Sequence, residues 1–265
     1  MNRRSPVDEQ RELWSSNPRD WAEIAEPQNR PLFDELLDLT ATGPGTRLLD
    51  IACGSGYAAA LAADRGADVT GVDVTPALLQ IARERTPTGT FLEGEMDALP
   101  LPDARFDVVT SVNGFQFALD PRRAFAEAAR VLASSGRLAA ATFAEPERNE
   151  GTALHLAMKA LVDEPADDGY APYALSSPDG LIRALEDAAG LRLTDVGEVT
   201  LAWTYPDTET TIRALLASAG GARASRAAGE QRVRGAIEAA VQPFLDPRGG
   251  VSIQNVFRYV VGVKP

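Results

Sequence analysis

Short apolar runs alternate with amphipathic stretches along the first half of this chain. Leu48, Leu49 and Ile51 form a run that reads as a strand buried on both faces. A loop of small residues follows, and an alanine-rich helix is expected from about Tyr57. The alternation then repeats, with strands expected over 67–73, 90–93, 106–111 and 137–143. The intervening helices carry Leu78, Leu79, Ile81 and Ala82, then Phe125, Ala128, Ala129 and Leu132, on their inward faces. Thr75 fits an N-cap and Pro76 the first helical position. Ser134-Ser135-Gly136 reads as a turn before the fifth strand. Upstream, Leu32, Phe33, Leu36, Leu37 and Leu39 predict an amphipathic helix opened by Pro31 and closed by Gly43-Pro44-Gly45. Residues 1–29 are polar, with Trp14, Trp21 and Ala25 near helical spacing. A short helix is expected there, either packed on the core or roofing a pocket.

Beyond Phe143 the pattern changes. A helix is expected over 151–162, with Leu154, Met158 and Leu161 on one stripe. Residues 163–178 are acidic and irregular, with Pro165, Gly169, Tyr170, Pro172 and Tyr173, as in a lid or binding loop. A helix over 178–189 closes at Gly190, and 191–202 alternates as a strand. Two helices are expected from about Thr208 and Glu230, then a last strand over 251–263. Strands alternating with helices make this an α/β chain.

The 265 residues, 45% hydrophobic, suffice for a single α/β domain with an appendage over the substrate. The net charge of -12 argues against nucleic acid or an anionic membrane as partner. The start lacks the apolar stretch of a signal peptide and no run has the length of a membrane span, so a cytoplasmic protein is expected. A single cysteine, Cys53, and a single histidine, His155, leave no intrachain disulfide, no expected metal site and no Ser-His-Asp triad.

The stretch Leu48-Leu49-Asp50-Ile51-Ala52-Cys53-Gly54-Ser55-Gly56-Tyr57 carries the candidate chemistry. Gly54 and Gly56 let backbone approach a ligand. The spacing from Gly54 to Ala59 also fits the dinucleotide fingerprint G-x-G-x-x-A. Asp50 weighs against that reading, because a carboxylate before the glycines faces the place of a pyrophosphate. It suits a ligand ending in an ammonium. Asp73 closes the second strand about 20 residues beyond Gly54, where an acid accepts ribose hydroxyls.

This stretch resembles motif I, D-x-G-x-G-x-G, of the class I S-adenosylmethionine-dependent methyltransferases, with Ala52 in place of the first glycine. A second block, Thr90 to Asp103 followed by Phe106 to Ser111, resembles the adenine-binding motif of that family and its next strand. Together they resemble small-molecule methyltransferase domains of types 11 and 25 over residues 30–143. The resemblance implies a Rossmann-like, seven-stranded, mostly parallel sheet with helices on both faces, the last strand antiparallel, and a helical cap over the acceptor site. It divides one domain into a flap (1–29), a cofactor-binding core (30–143), cap insertions (144–190 and 207–245) and a terminal hairpin (191–202 and 251–263).

The cofactor implied is S-adenosyl-L-methionine, with S-adenosyl-L-homocysteine as product. Its implied binding residues are Asp50, Ala52, Cys53, Gly54, Gly56, Asp73, Val74, Glu95, Met96, Asp97 and Asn113. Glu95 stands where an aspartate usually meets the adenine amino group, and Asp97 competes for that role. Met96 offers a backbone N–H and an apolar face to the ring. Trp14, Trp21, Phe115, Phe117 and Tyr173 are expected at the acceptor, some near the methyl group as cation–π partners. His155 and Tyr170 are candidate bases, Glu145 a further one, and Gln116 an orienting group. The expected function is methyl transfer to an O, C or N nucleophile of a small metabolite, in secondary-metabolite or cofactor biosynthesis. The partner is that small molecule, with no nucleic acid and no membrane. Two alternatives stay open: a non-methylating relative, such as a cyclase or binding protein, that retains the cofactor, and an NAD-dependent oxidoreductase.

Overall fold

The computed structural model describes residues 5–162, 173–177 and 179–265. In chain order the elements begin with α1 (Pro6–Trp14) and α2 (Pro18–Asp20), a π-helical turn (Trp21–Ala25), a 3-10 turn (Glu26–Asn29) and α3 (Arg30–Leu39). Then come β1 (Arg47–Ile51), α4 (Tyr57–Asp64), β2 (Asp68–Asp73), α5 (Pro76–Arg85), β3 (Thr90–Glu93), β4 (Phe106–Val112), α6 (Pro121–Val131) and β5 (Leu132–Phe143). The second half carries α7 (Gly151–Lys159), α8 (Gly180–Arg183) with a π turn (Ala184–Ala188), β6 (Arg192–Tyr205), α9 (Thr208–Leu216), α10 (Ala219–Ala228), α11 (Glu230–Val241) and β7 (Val251–Val263).

The seven strands form one sheet in the order β3-β2-β1-β4-β5-β7-β6. The first five are parallel, and β7 runs antiparallel to both β5 and β6. Leu48, Leu49 and Ile51 of β1 are 1% exposed or less, as a central strand covered on both faces requires. One side of the sheet packs Phe125 and Ala128 of α6 with Leu181 and Leu185. The other packs Ala59 and Ala62 of α4 with Leu79 and Ala82 of α5, and Leu32 and Leu36 of α3 further along. A separate core joins Leu154 and Met158 of α7 to Ile212, Leu215, Val233 and Ile237 of α9 and α11, and reaches the sheet at Tyr205 and Ile253. No described helix is long and apolar enough to cross a membrane.

Several boundaries differ from the sequence reading. Ser134-Ser135-Gly136 is not a turn between elements. It lies inside one strand, Leu132–Phe143, whose pairing with β4 shifts register between Phe106 and Val108. Ser135 takes φ +63 and donates its N–H to the Lys264 carbonyl, so the irregularity is absorbed as a bulge. Where two helices were expected after Thr208, there are three. The additional one, α10, is built on Ala-Gly-Gly-Ala, which has no apolar period to announce it. It starts at Ser218, whose hydroxyl accepts from the Gly221 N–H at 3.1 Å. Trp14 and Trp21 lie on separate helical turns rather than on one short helix. The helix expected over 178–189 is α8 and its π turn, and Pro178 falls outside the described residues.

Candidate active site

The chain runs from β1 outward through β2 to β3, then returns to place β4 on the other side of β1. The crevice beyond the carboxyl ends of β1 and β4 is therefore the switch point where open α/β sheets take ligands. A cavity of about 250 Å³ lies there. Asp50, Asp73 and Glu95, on the loops or ends of three successive strands, all line it.

The loop after β1 turns sharply. Ala52, Gly54 and Gly56 have φ of +58, +55 and +74. Ala52 thus pays a left-handed strain of about 1–2 kcal/mol that glycine would avoid. Gly56 has a packing role as well: a Cβ there would stand 2.7 Å from the Ala82 Cβ on α5. Gly56 is not on the cavity lining, so its expected contact with cofactor is corrected to one of loop shape. Cys53 does line the cavity, and burial pushes its thiol well up, keeping it protonated.

Asp73 bridges two loops. Its carboxylate accepts from the Gly54 N–H at 2.9 Å and the Thr75 N–H at 2.8 Å. Burial nevertheless pushes its pKa up. Asp50 accepts from the Thr110 hydroxyl at 2.8 Å and is 4% exposed. Its pKa is pushed up to about 7, first by burial, then by the neighbouring Glu26 and Asp73.

Glu26 was missed by sequence reasoning. It is 6% exposed and lines the cavity from the 3-10 turn before α3. It accepts from the Ser55 N–H at 3.2 Å and from the Ser55 hydroxyl. Arg85 of α5 donates to it at 3.1 Å, to the Ser55 carbonyl at 2.9 Å and to the Ala22 carbonyl at 2.9 Å. The N-terminal segment is thereby latched onto the loop after β1. Burial still raises the Glu26 pKa despite these partners. A second tie sits further up the segment, where Arg11 donates to the Val74 carbonyl at 2.9 Å.

Among the described residues the lining carries no lysine or arginine. Three buried carboxylates, Glu26, Asp50 and Asp73, therefore share one guanidinium, which reaches only Glu26. Such a hollow disfavours an anionic pyrophosphate and fits a nucleoside joined to a cationic tail.

The remaining expected cofactor residues, Val74, Met96, Asp97 and Asn113, also border the cavity. Glu95 is exposed and Asp97 half-buried, so both alternatives for the adenine edge remain within reach. Asn113 holds φ +53 just past β4, and its side-chain oxygen accepts from Gln116 at 3.3 Å.

Of the expected acceptor residues, Trp14, Trp21, Phe117 and Tyr173 line the cavity, as do His155 and Gln116. Trp14 packs edge-on against Trp21 at 4.7 Å and against Phe117 at 6.2 Å. Phe115 does not line it: the ring is 2% exposed and stacks on Phe125 at 4.2 Å, so it is core. Its neighbours alternate around a single 3-10 turn, which turns Phe117 outward and Phe115 inward. Tyr170 lies outside the described residues. Glu145 is off the lining and pairs with Arg258 at 3.1 Å; a hydrogen bond from its own backbone, and then the Arg258 guanidinium, hold its carboxyl below the usual range. His155 is half-buried, and burial and Lys159 push its pKa below the usual value. Trp203 and Tyr205 are further lining residues that the sequence reading passed over. Their one signal was parity, since they stand two apart on one face of a strand.

Comparison with known proteins agrees with this geometry. Residues 49–140 match the family model for a methyltransferase domain. A demethylmenaquinone methyltransferase of Renibacterium salmoninarum is 36% identical over 111 residues, 42% of this chain and 47% of that protein. A malonyl-[acyl-carrier protein] O-methyltransferase of Serratia marcescens is 36% identical over 115 residues, 43% of this chain and 45% of that protein. The chain thus spans about half the length of these relatives. The crystal structure of the YcgJ protein of Bacillus subtilis superposes with a TM-score of 0.61 at 23% identity, over 89% of this chain and 98% of that one, which speaks for the fold. The segment that shapes the cavity, from β1 to β5, carries a methyltransferase domain.

Proposed function

We propose that this chain methylates an O, C or N nucleophile of a small, largely apolar metabolite. One observation carries the reading: an acid-lined hollow at the switch point of the sheet, with no lysine or arginine among the described residues of its wall. S-adenosylmethionine supplies, when bound, a methyl carbon already activated by its sulfonium.

In this reading Asp73 accepts the ribose hydroxyls, and Gly54 keeps the loop open beside them. Glu95 or Asp97 meets the adenine amino group, and Met96 covers the ring. Asp50 and Glu26 hold the ammonium end. Trp14, Trp21 and Phe117 wall the reacting centre from water, which supports catalysis by positioning more than by chemistry. His155, neutral at physiological pH because burial disfavours its charged form, is the group placed to take a proton from the acceptor. The described parts of 144–190 and 207–245 serve as the cap over the acceptor. Incubation with S-adenosylmethionine and a fractionated metabolite extract tests the reading. Mass spectrometry should find S-adenosylhomocysteine together with a product heavier by one methylene. Cofactor binding with no S-adenosylhomocysteine formed and no methylated product would favour the non-methylating alternative.

A further inference from the structure

The acceptor side of the cavity carries two phenol hydroxyls in opposite hydrogen-bonding states. Tyr173 Oη lies 2.7 Å from Thr152 Oγ1. The Thr152 hydroxyl donates to the Pro146 carbonyl, also at 2.7 Å. A threonine hydroxyl has a single proton to give. Thr152 therefore accepts from Tyr173, and the Tyr173 proton is committed. Toward a ligand the Tyr173 oxygen can only accept.

Its position is fixed from behind. Ser176 donates to the Tyr173 carbonyl through its N–H at 3.2 Å and its hydroxyl at 2.9 Å. Arg258, 7% exposed, donates to the Ser176 carbonyl at 2.7 Å while paired with Glu145 and Glu198.

Tyr205 is the converse. It ends β6, lines the same cavity and is 5% exposed. Its hydroxyl has no hydrogen-bond partner among the described residues. Burial raises its pKa, so the proton stays on. Tyr205 borders the cavity and its hydroxyl is not taken up by a described protein group, so a ligand there can supply the acceptor.

Flat apolar surface lies between the two. The Phe143 ring centre is 5.7 Å from that of Tyr173 and 5.8 Å from that of Trp203. Trp203 shares its face of β6 with Tyr205. Its indole N–H is spent on Asn29 at 3.1 Å, so it presents an apolar surface to the cavity.

We propose that this subsite selects a flat, uncharged hydroxy-carbonyl acceptor, its hydroxyl donating to Tyr173 and its carbonyl oxygen accepting from Tyr205, with the ring body against Phe143 and Trp203. The proposal rests on the methyltransferase reading and narrows its acceptor. An acceptor without the hydroxyl leaves the Tyr173 oxygen facing an apolar edge. One without the carbonyl leaves the Tyr205 donor unpaired. Among the described lining residues on this side there is no lysine, arginine or carboxylate to pair with a charged acceptor.

The probe is 6-hydroxy-2-acetonaphthone, titrated calorimetrically into the protein saturated with S-adenosylhomocysteine. The comparators are 6-methoxy-2-acetonaphthone, which lacks the donor, and 2-naphthol, which lacks the carbonyl. Each comparator should bind about five- to tenfold more weakly, the span of one hydrogen bond. Tyr173→Phe should erase the first difference and keep the second, and Tyr205→Phe the reverse. Melting curves establish that both variants are folded. Equal binding of all three compounds, binding of none, or differences that survive the matching substitution overturns the proposal. Titration with S-adenosylhomocysteine alone comes first. Failure there removes the methyltransferase reading and this inference with it, whereas binding without discrimination removes only the inference.

Discussion

Binding of S-adenosylhomocysteine should depend on pH in a way set by Asp50. In the free protein this carboxyl titrates at about 7, because burial, Glu26 and Asp73 all disfavour its ionised form. A bound ammonium holds Asp50 ionised, so its pKa is lower in the complex. Binding in that window then requires loss of a proton. Asp50 in the free protein is about 0.9 ionised at pH 8 and about 0.1 at pH 6, so affinity should fall about tenfold between them, or about 1.4 kcal/mol. Burial raises Glu26 and Asp73 as well. His155, also on the lining, is pushed below its usual value by burial and then by Lys159. Isothermal titration in two buffers of different ionisation heat measures both affinity and proton release. Release should approach about 0.9 proton at pH 6 and fall to about 0.1 at pH 8. Asp50→Asn should flatten the dependence and weaken binding at pH 8. An affinity that is level from pH 6 to pH 8, with no proton released, would refute the argument.

Three other outcomes follow from the same structure. Asp50 has a folded-state pKa raised from 3.8 to about 7, so its contribution to stability is present below 3.8 and lost as pH rises through 7. Asp50→Asn should therefore raise the melting temperature of the ligand-free protein at pH 8, by up to about 4 kcal/mol of stability from roughly three pKa units. Arg85→Met strands Glu26 in the interior and should cost about 3 kcal/mol in urea unfolding, with Glu26→Gln in the same chain restoring part of it. Gly56→Ala combines a left-handed φ with a 2.7 Å approach to Ala82, and should destabilise by about 2–5 kcal/mol in the same assay.

The parallel half of the sheet was legible because its strands are apolar runs separated by amphipathic helices, with β2 and β3 closed by Asp73 and Glu93. Burial on both faces leaves such runs no alternative. Asp50 and Asp73 follow directly, since the ends of adjacent parallel strands converge on one crevice. Glu26 was not legible. Its burial depends on Arg85, 59 residues away in the chain, and its own neighbourhood of Glu26-Pro27-Gln28-Asn29 has no period to mark an inward side. The helix α10 escaped for a related reason. Gly220 and Gly221 are poor helix formers, yet a Cβ on Gly221 would stand 2.1 Å from the Leu215 carbonyl, so tertiary packing selects the residue that propensity disfavours. Phe115 and Phe117 looked equivalent in sequence, and only the 3-10 turn between them assigns one to the core and the other to the cavity. Tyr205 was hidden by sitting at the end of a strand whose expected limit was Ala202.

The central claim is that a hollow lined by Glu26, Asp50 and Asp73 is shaped for an adenosine carrying a positively charged amino-acid tail. Calorimetric titration of the wild-type protein with S-adenosylhomocysteine, 5′-methylthioadenosine and NADH tests it most directly. The account predicts that S-adenosylhomocysteine binds tightest, that 5′-methylthioadenosine, lacking the ammonium, binds at least about tenfold more weakly, the worth of one charge-assisted contact, and that NADH gives no heat. Saturable NADH binding with no response to S-adenosylhomocysteine would contradict it.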